Sequence, residues 1–248
     1  MGNKKIYTLL ATFVFAVAAF FNTANISAAT AFDQKGESRA SETGRVREPL
    51  NLAILVQDDL VSRVGNELKV TREFIRTLPA GSRVMVGYIR SGALQVRQPF
   101  TTDLELGAKA LRIPVGSTSV SPYNPYVEVR EALRRFESGD ANRNALLLIS
   151  DGLDVSRGFD FSSSVHSIDI NRAIKEAKAR NVSVYSFYAP SVGLTSWNRT
   201  AVSFGQSALN RLSNETGGRA FFQGSSFVTF DAYFRNLSRT LNEQNAAE

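Results

Sequence analysis

The 248-residue chain has no cysteine and one histidine, His166. The first absence excludes a disulfide framework, thiolate zinc and iron–sulfur sites and a cysteine nucleophile; the second excludes a multi-histidine metal centre. His166 lies in a polar, Ser-rich stretch with no recognisable base or metal partner in the sequence, so no catalytic role is expected of it. Neither a Gly-x-Ser-x-Gly nucleophile elbow nor a Gly-x-x-x-x-Gly-Lys-Ser/Thr phosphate loop occurs, which removes two large enzyme classes. Long apolar runs are scarce too. One uncharged run of 16 residues spans Ile6 to Phe21, and no later stretch is apolar enough to cross a bilayer.

What is present suits a folded domain. Hydrophobic residues make up 43% of the chain, charged residues 21% and aromatic residues 10%, which excludes collagen-like, low-complexity and disordered classes. The formal charge is +6, and without Lys4 and Lys5 the balance is 27 basic against 23 acidic residues. The 22 arginines are scattered, with only Arg134 and Arg135 adjacent. Such spacing describes solvated helix faces rather than a nucleic-acid groove, and no nucleic-acid partner is expected.

Residues 1–31 have the three parts of a secretory signal: basic Lys4-Lys5, the apolar run, then small residues offering cuts after Ser27-Ala28-Ala29 or Ala29-Thr30-Ala31. The expectation is a secreted or periplasmic protein, with an uncleaved tether as the competing reading, although 16 apolar residues fall short of the ~20 that a spanning helix needs. Residues 32–49 are polar and without period, and read as a flexible leader.

A single domain is expected over residues 50–245. Leu50–Val56, Ala145–Ile149 and Val182–Tyr188 are nearly continuous apolar runs, as strands buried on both faces of a parallel sheet require. Arg83–Ile89 and Ala93–Gln98 flank Ser91-Gly92 and predict a hairpin whose second strand, alternating Leu94 and Val96 with Gln95 and Arg97, is an antiparallel edge. Helical spacing joins Val64, Leu68, Ile75 and Leu78; Tyr126, Val129, Leu133 and Phe136; Phe204, Ala208 and Leu212; and, in a final helix at about 229–244, Phe230, Phe234, Leu237 and Leu241. The expected architecture is α/β: a doubly wound, mostly parallel six-stranded sheet with one antiparallel edge strand and helices on both faces. Ligands of such sheets bind beyond the carboxyl ends of the strands, where the winding direction reverses.

Three segments are predicted to meet there: Gln57-Asp58-Asp59-Leu60-Val61-Ser62, Gly116-Ser117-Thr118-Ser119-Val120-Ser121 and Ser150-Asp151-Gly152-Leu153-Asp154. Their carboxylates and hydroxyls are the oxygen inventory of a hard divalent cation. The arrangement resembles the von Willebrand factor type A (VWA) domain. In that family an Asp-x-Ser-x-Ser motif, a Thr from a later loop and an Asp after a buried strand form a metal-ion-dependent adhesion site. The resemblance places Asp58, Ser62, Ser121 and Asp151 as ligands of Mg²⁺ or Mn²⁺. Leu60 stands where the motif has its first Ser, so one ligand is lost; Ser119 and Thr118 are alternatives to Ser121. Without the resemblance, Asp58 and Asp151 are strand-end carboxylates accepting loop amides, Leu60 is a core residue, and Ser121 before Pro122 is a helix N-cap.

The function expected is a non-catalytic, adhesion-type module that bridges a cation to an acidic group on a protein partner. A metal-independent scaffold is the alternative, using the segment 191–200, where Trp197 is the candidate partner contact, or the final helix with Phe227, Phe230, Tyr233 and Phe234. The acidic pair Asp58-Asp59 also resembles the opening of a receiver domain, but Val182–Pro190 has no lysine of the kind that family requires.

Overall fold

Eight apolar or amide residues in succession, Leu50–Gln57, form β1, and every one is buried. A strand can hide both its faces only when sheet neighbours and helices cover it on all sides. Here β1 pairs in parallel with β2 (Arg83–Arg90) on one side and β4 (Arg143–Ser150) on the other. The computed structural model describes residues 48–137, 143–158, 167–222 and 230–244, and residues 45–248 make one compact unit. The remaining strands are β3 (Ala93–Thr101), antiparallel to β2, then β5 (Val182–Tyr188) and β6 (Ala220–Phe221), both parallel. Sheet order is β3-β2-β1-β4-β5-β6. The chain leaves β1 toward β2 and later resumes on the other side at β4, so the winding reverses between β1 and β4.

Helices α1 (Val64–Arg76), α2 (Leu104–Ala110) and α6 (Phe230–Gln244) cover one face. Helices α3 (Pro125–Leu133), α4 (Ile168–Ala179) and α5 (Arg199–Glu215) cover the other. The period of two along β1 sorts its side chains between the two cores: Leu52, Ile54 and Val56 pack on the first, Ala53 and Leu55 on the second. The final helix is core rather than docking surface. Phe187 of β5 meets Phe230, Tyr233 and Phe234 with ring centroids 5.4, 5.1 and 4.9 Å away, and Phe74 of α1 stacks on Phe234 at 4.5 Å. That burial leaves its aromatic face no role as an exposed partner surface; Phe227 and His166 lie outside the described residues.

Helices α1, α3, α4 and α5 all begin at the carboxyl edge of the sheet. Side-chain oxygens of Asn124, Ser167 and Asn198 accept the first amides of α3, α4 and α5, satisfying donors that a helix start leaves unpaired. The N-cap of α3 is therefore Asn124, followed by Pro125, and not Ser121 before Pro122. This releases the Ser121 hydroxyl for other use.

Candidate functional site

At the β1–β4 reversal, Gln57 closes the end of the sheet. Its Oε1 accepts the Ser150 hydroxyl and, at 3.3 Å, the Asp151 amide, while its Nε2 donates to Asp59 Oδ1 at 2.7 Å. Asp59 Oδ2 accepts the hydroxyl of Ser121. One neutral amide thus links two strand ends and holds a carboxylate beside a second one. Asp151, also buried, accepts the Leu153 amide on Oδ1 at 3.1 Å and the Thr195 hydroxyl on Oδ2 at 3.0 Å. Thr195 in turn accepts the Ser191 amide at 2.9 Å, so the loop after β5 closes over the same point. An antiparallel bridge between Leu60 and Ser191 and the bond from the Val192 amide to Asp59 O at 2.9 Å tie that loop to the one after β1.

The Asp151-Gly152 turn is fixed from two more sides. The Tyr126 hydroxyl donates to Gly152 O at 2.6 Å. Helix α5 approaches through Gly205, where a Cβ would lie 2.0 Å from Asp151 O, and Gly152 itself has a φ of +70° that favours glycine.

Electrostatically the centre is two carboxylates, Asp59 and Asp151, with no cationic side chain paired to them among the described residues. Burial, and then the negative charge of Asp151, pushes the Asp59 carboxyl up to about 6. Burial likewise raises Asp151, against the hydrogen bonds that favour its charged form.

Asp58, one residue earlier, is elsewhere. Its carboxylate is gripped at both oxygens by Arg112, at 2.6 and 2.8 Å, accepts the Val115 amide at 3.1 Å and lies 3.6 Å from Arg90. The Arg112 guanidinium sits over the Tyr88 ring at 4.1 Å, and the Tyr88 hydroxyl donates to Arg112 O and accepts from Arg112 N. This cluster anchors the loop 111–117. A carboxylate bound bidentately by a guanidinium has its oxygens taken and a positive charge beside it, and is poorly placed to ligate a cation.

Of the four residues matched to the adhesion motif, the structure brings Ser121 and Asp151 to one centre and joins them through Asp59 and Gln57. Asp58 faces Arg112, and Ser62 is exposed before α1, with no described bond to either carboxylate. Leu60, where the motif has a Ser, is fully buried in the first core. Asp59 and Gln57 were missed as site residues. Trp197, the candidate partner contact, is 72% exposed. Among the described residues no group of three or more His, Cys, Asp or Glu is placed to hold a metal ion, and no helix is long and apolar enough to cross a membrane.

The mostly parallel sheet, with its single antiparallel edge, is the one expected from the sequence, and solved structures are similar to the fold over most of the chain. An aerotolerance-related membrane protein from Bacteroides fragilis, 11% identical, matches 78% of this chain and 99% of its own at a TM-score of 0.55. BatB from Bacteroides thetaiotaomicron, also 11% identical, matches 79% of this chain and 99% of its own at 0.51. The SpRpn10 VWA domain is similar over 79% of this chain and 95% of its own, at 13% identity and a TM-score of 0.48. The chain has an α/β fold similar to that of the two Bacteroides proteins. No protein-family model and no curated protein matches its sequence.

Proposed function

We propose that the chain is an exported, non-catalytic protein-interaction module whose partner docks on the carboxyl edge of the sheet. The distribution of exposed apolar side chains carries this reading. Of the eight large hydrophobic side chains exposed among the described residues, Ile113, Val115, Tyr123, Val127, Ile168, Trp197 and Phe222 all lie on loops, first helical turns or a strand end at that edge; Leu106 alone lies elsewhere, on α2. Apolar surface gathered around a polar centre marks an interaction site more than scattered apolar residues do.

At the centre, Asp59, Asp151 and Ser121 would hold a Mg²⁺ or Mn²⁺ ion. Their oxygens are of the hard type such ions take, and two buried carboxylates without a cationic side chain leave a charge for an ion to neutralise. A bound ion supplies a positive centre to which a partner carboxylate binds. The chain's own residues do the positioning: Gln57 orients Asp59, Thr195 and the Leu153 amide orient Asp151, and Arg112 withdraws Asp58 from the site.

The test is a photo-crosslinking residue placed at Trp197, at Tyr123 and, as control, at Leu106 in the exported chain. Adducts to one discrete protein from the first two positions alone support the proposal. Adducts from Leu106 only, or none at all, overturn it. The exposure of Trp197 also favours a second reading, in which the 191–200 loop binds without metal; crosslinking that persists in excess chelator selects it.

A further inference from the structure

Charge at the carboxyl edge is sorted by depth. Along the described loops there, Asp58, Asp59, Asp151 and Asp154 are all buried. Arg63, Arg157 and Arg199 are all exposed, and none forms an ion pair with a described residue. In the adjoining first helical turns Glu67 accepts the Phe230 amide at 2.6 Å, Asp169 accepts from Asn124 at 2.9 Å and pairs with Arg172, Glu128 is buried, and Asp231, which is exposed, pairs with Arg235. Elsewhere on the molecule several arginines are matched by surface carboxylates, as in Arg76–Glu105, Arg135–Glu131, Arg180–Glu176 and Arg211–Glu215. Exposed basic residues without a described ion pair also occur elsewhere, as at Lys69, Arg97, Lys175 and Lys178, but at the rim such residues stand beside exposed apolar side chains: Trp197 is two residues from Arg199.

We infer that the rim binds an acidic polypeptide segment in which apolar side chains alternate with carboxylates. The inference rests on the docking face proposed above and adds the chemistry of its occupant. Exposed guanidiniums on two loops and the first residue of α5 match carboxylates spread along a chain, while Trp197 and Tyr123 match its apolar side chains. A flexible polypeptide can set its carboxylates against the rim guanidiniums and send no more than one toward Asp59 and Asp151, where the proposed ion would receive it. A lipid surface of uniform negative charge would lie over those buried carboxylates as well, which disfavours it.

The experiment is fluorescence anisotropy with a labelled synthetic peptide of alternating glutamate and leucine, titrated with protein up to millimolar concentration. Its counterpart of lysine and leucine, and phosphatidylglycerol vesicles, are the comparison probes. Binding of the acidic peptide alone is expected. Arg63→Ser, Arg157→Ser and Arg199→Ser combined should weaken it about tenfold, the sum expected of three exposed charge contacts, and raising NaCl from about 50 to about 500 mM should weaken it comparably. All three side chains are exposed, so the variant keeps the fold, which an unchanged circular dichroism melt verifies. Equal affinity in wild type and variant, no binding of the acidic peptide, or binding of vesicles in its place overturns the inference. If adducts still form at Trp197 while the peptide result is negative, the docking face stands and its acidic occupant does not.

Discussion

Replacing Asp59 by Asn tests whether two uncompensated carboxylates share the site. The Asp59 side chain is fully buried and holds its proton to about pH 6 rather than the ordinary 3.8. Below pH 3.8 the folded and unfolded chains both carry that proton, and the group has no effect on stability. As pH rises toward 6 the unfolded chain ionises first, so stability falls; above 6 the full penalty, about 3 kcal/mol, is present. Asp151, raised in the same direction, adds to the fall. Asn keeps the volume and stays neutral, but it alters the contacts with Ser121 and Gln57, each worth about 1 kcal/mol. In chelator at pH 7.5, Asp59→Asn should therefore be more stable than wild type by about 1–3 kcal/mol, or roughly 4–10 °C in Tm. Near pH 4 the two should converge. Urea denaturation at intervals from pH 4 to 8 measures this, and curves that stay parallel across the range would refute the reasoning.

Three further outcomes follow from the packing. Arg112→Ala leaves the buried Asp58 carboxylate with only the Val115 amide and the more distant Arg90, and should destabilise by about 2–3 kcal/mol; adding Asp58→Asn should recover most of this in a double-mutant cycle. Gly205→Ala places a methyl 2.0 Å from Asp151 O and should destabilise by about 2 kcal/mol or more, with a matching loss of any metal or partner binding. Phe187→Ala removes the ring around which Phe230, Tyr233 and Phe234 gather; a loss of about 3–5 kcal/mol is expected, with faster amide exchange in residues 230–239 as the local readout.

The strands were legible because a sheet buried on both faces leaves uninterrupted apolar runs, and β1, β4 and β5 are such runs. Two helices went unread. In α4 the buried positions Ile170, Ala173, Ile174 and Ala177 have helical spacing, but two of the four are alanines, whose apolar signal is weak. The seven residues of α2 bury only Gly107 and Ala108. The exchange of Asp59 for Asp58 was readable from parity. Leu52, Ile54 and Val56 face the first core, so continuing the alternation sends Asp58 to the side of Tyr88 and α2 and carries Gln57 and Asp59 to the other. Motif spacing pointed to the wrong parity because Gln57, an amide, holds the strand-end position next to Asp151. The grip of Arg112 on Asp58 spans 54 residues, and no local pattern announces it.

The most direct test of the account is calorimetric titration of MgCl₂ and MnCl₂ into chelator-stripped protein, comparing wild type with Asp58→Asn, Asp59→Asn and Asp151→Asn. A saturable one-to-one heat that survives in Asp58→Asn and vanishes in the other two is predicted. A heat lost in Asp58→Asn but kept in Asp59→Asn, or none in the wild type at ~10 mM metal, well above the range in which such oxygen sites fill, would contradict it.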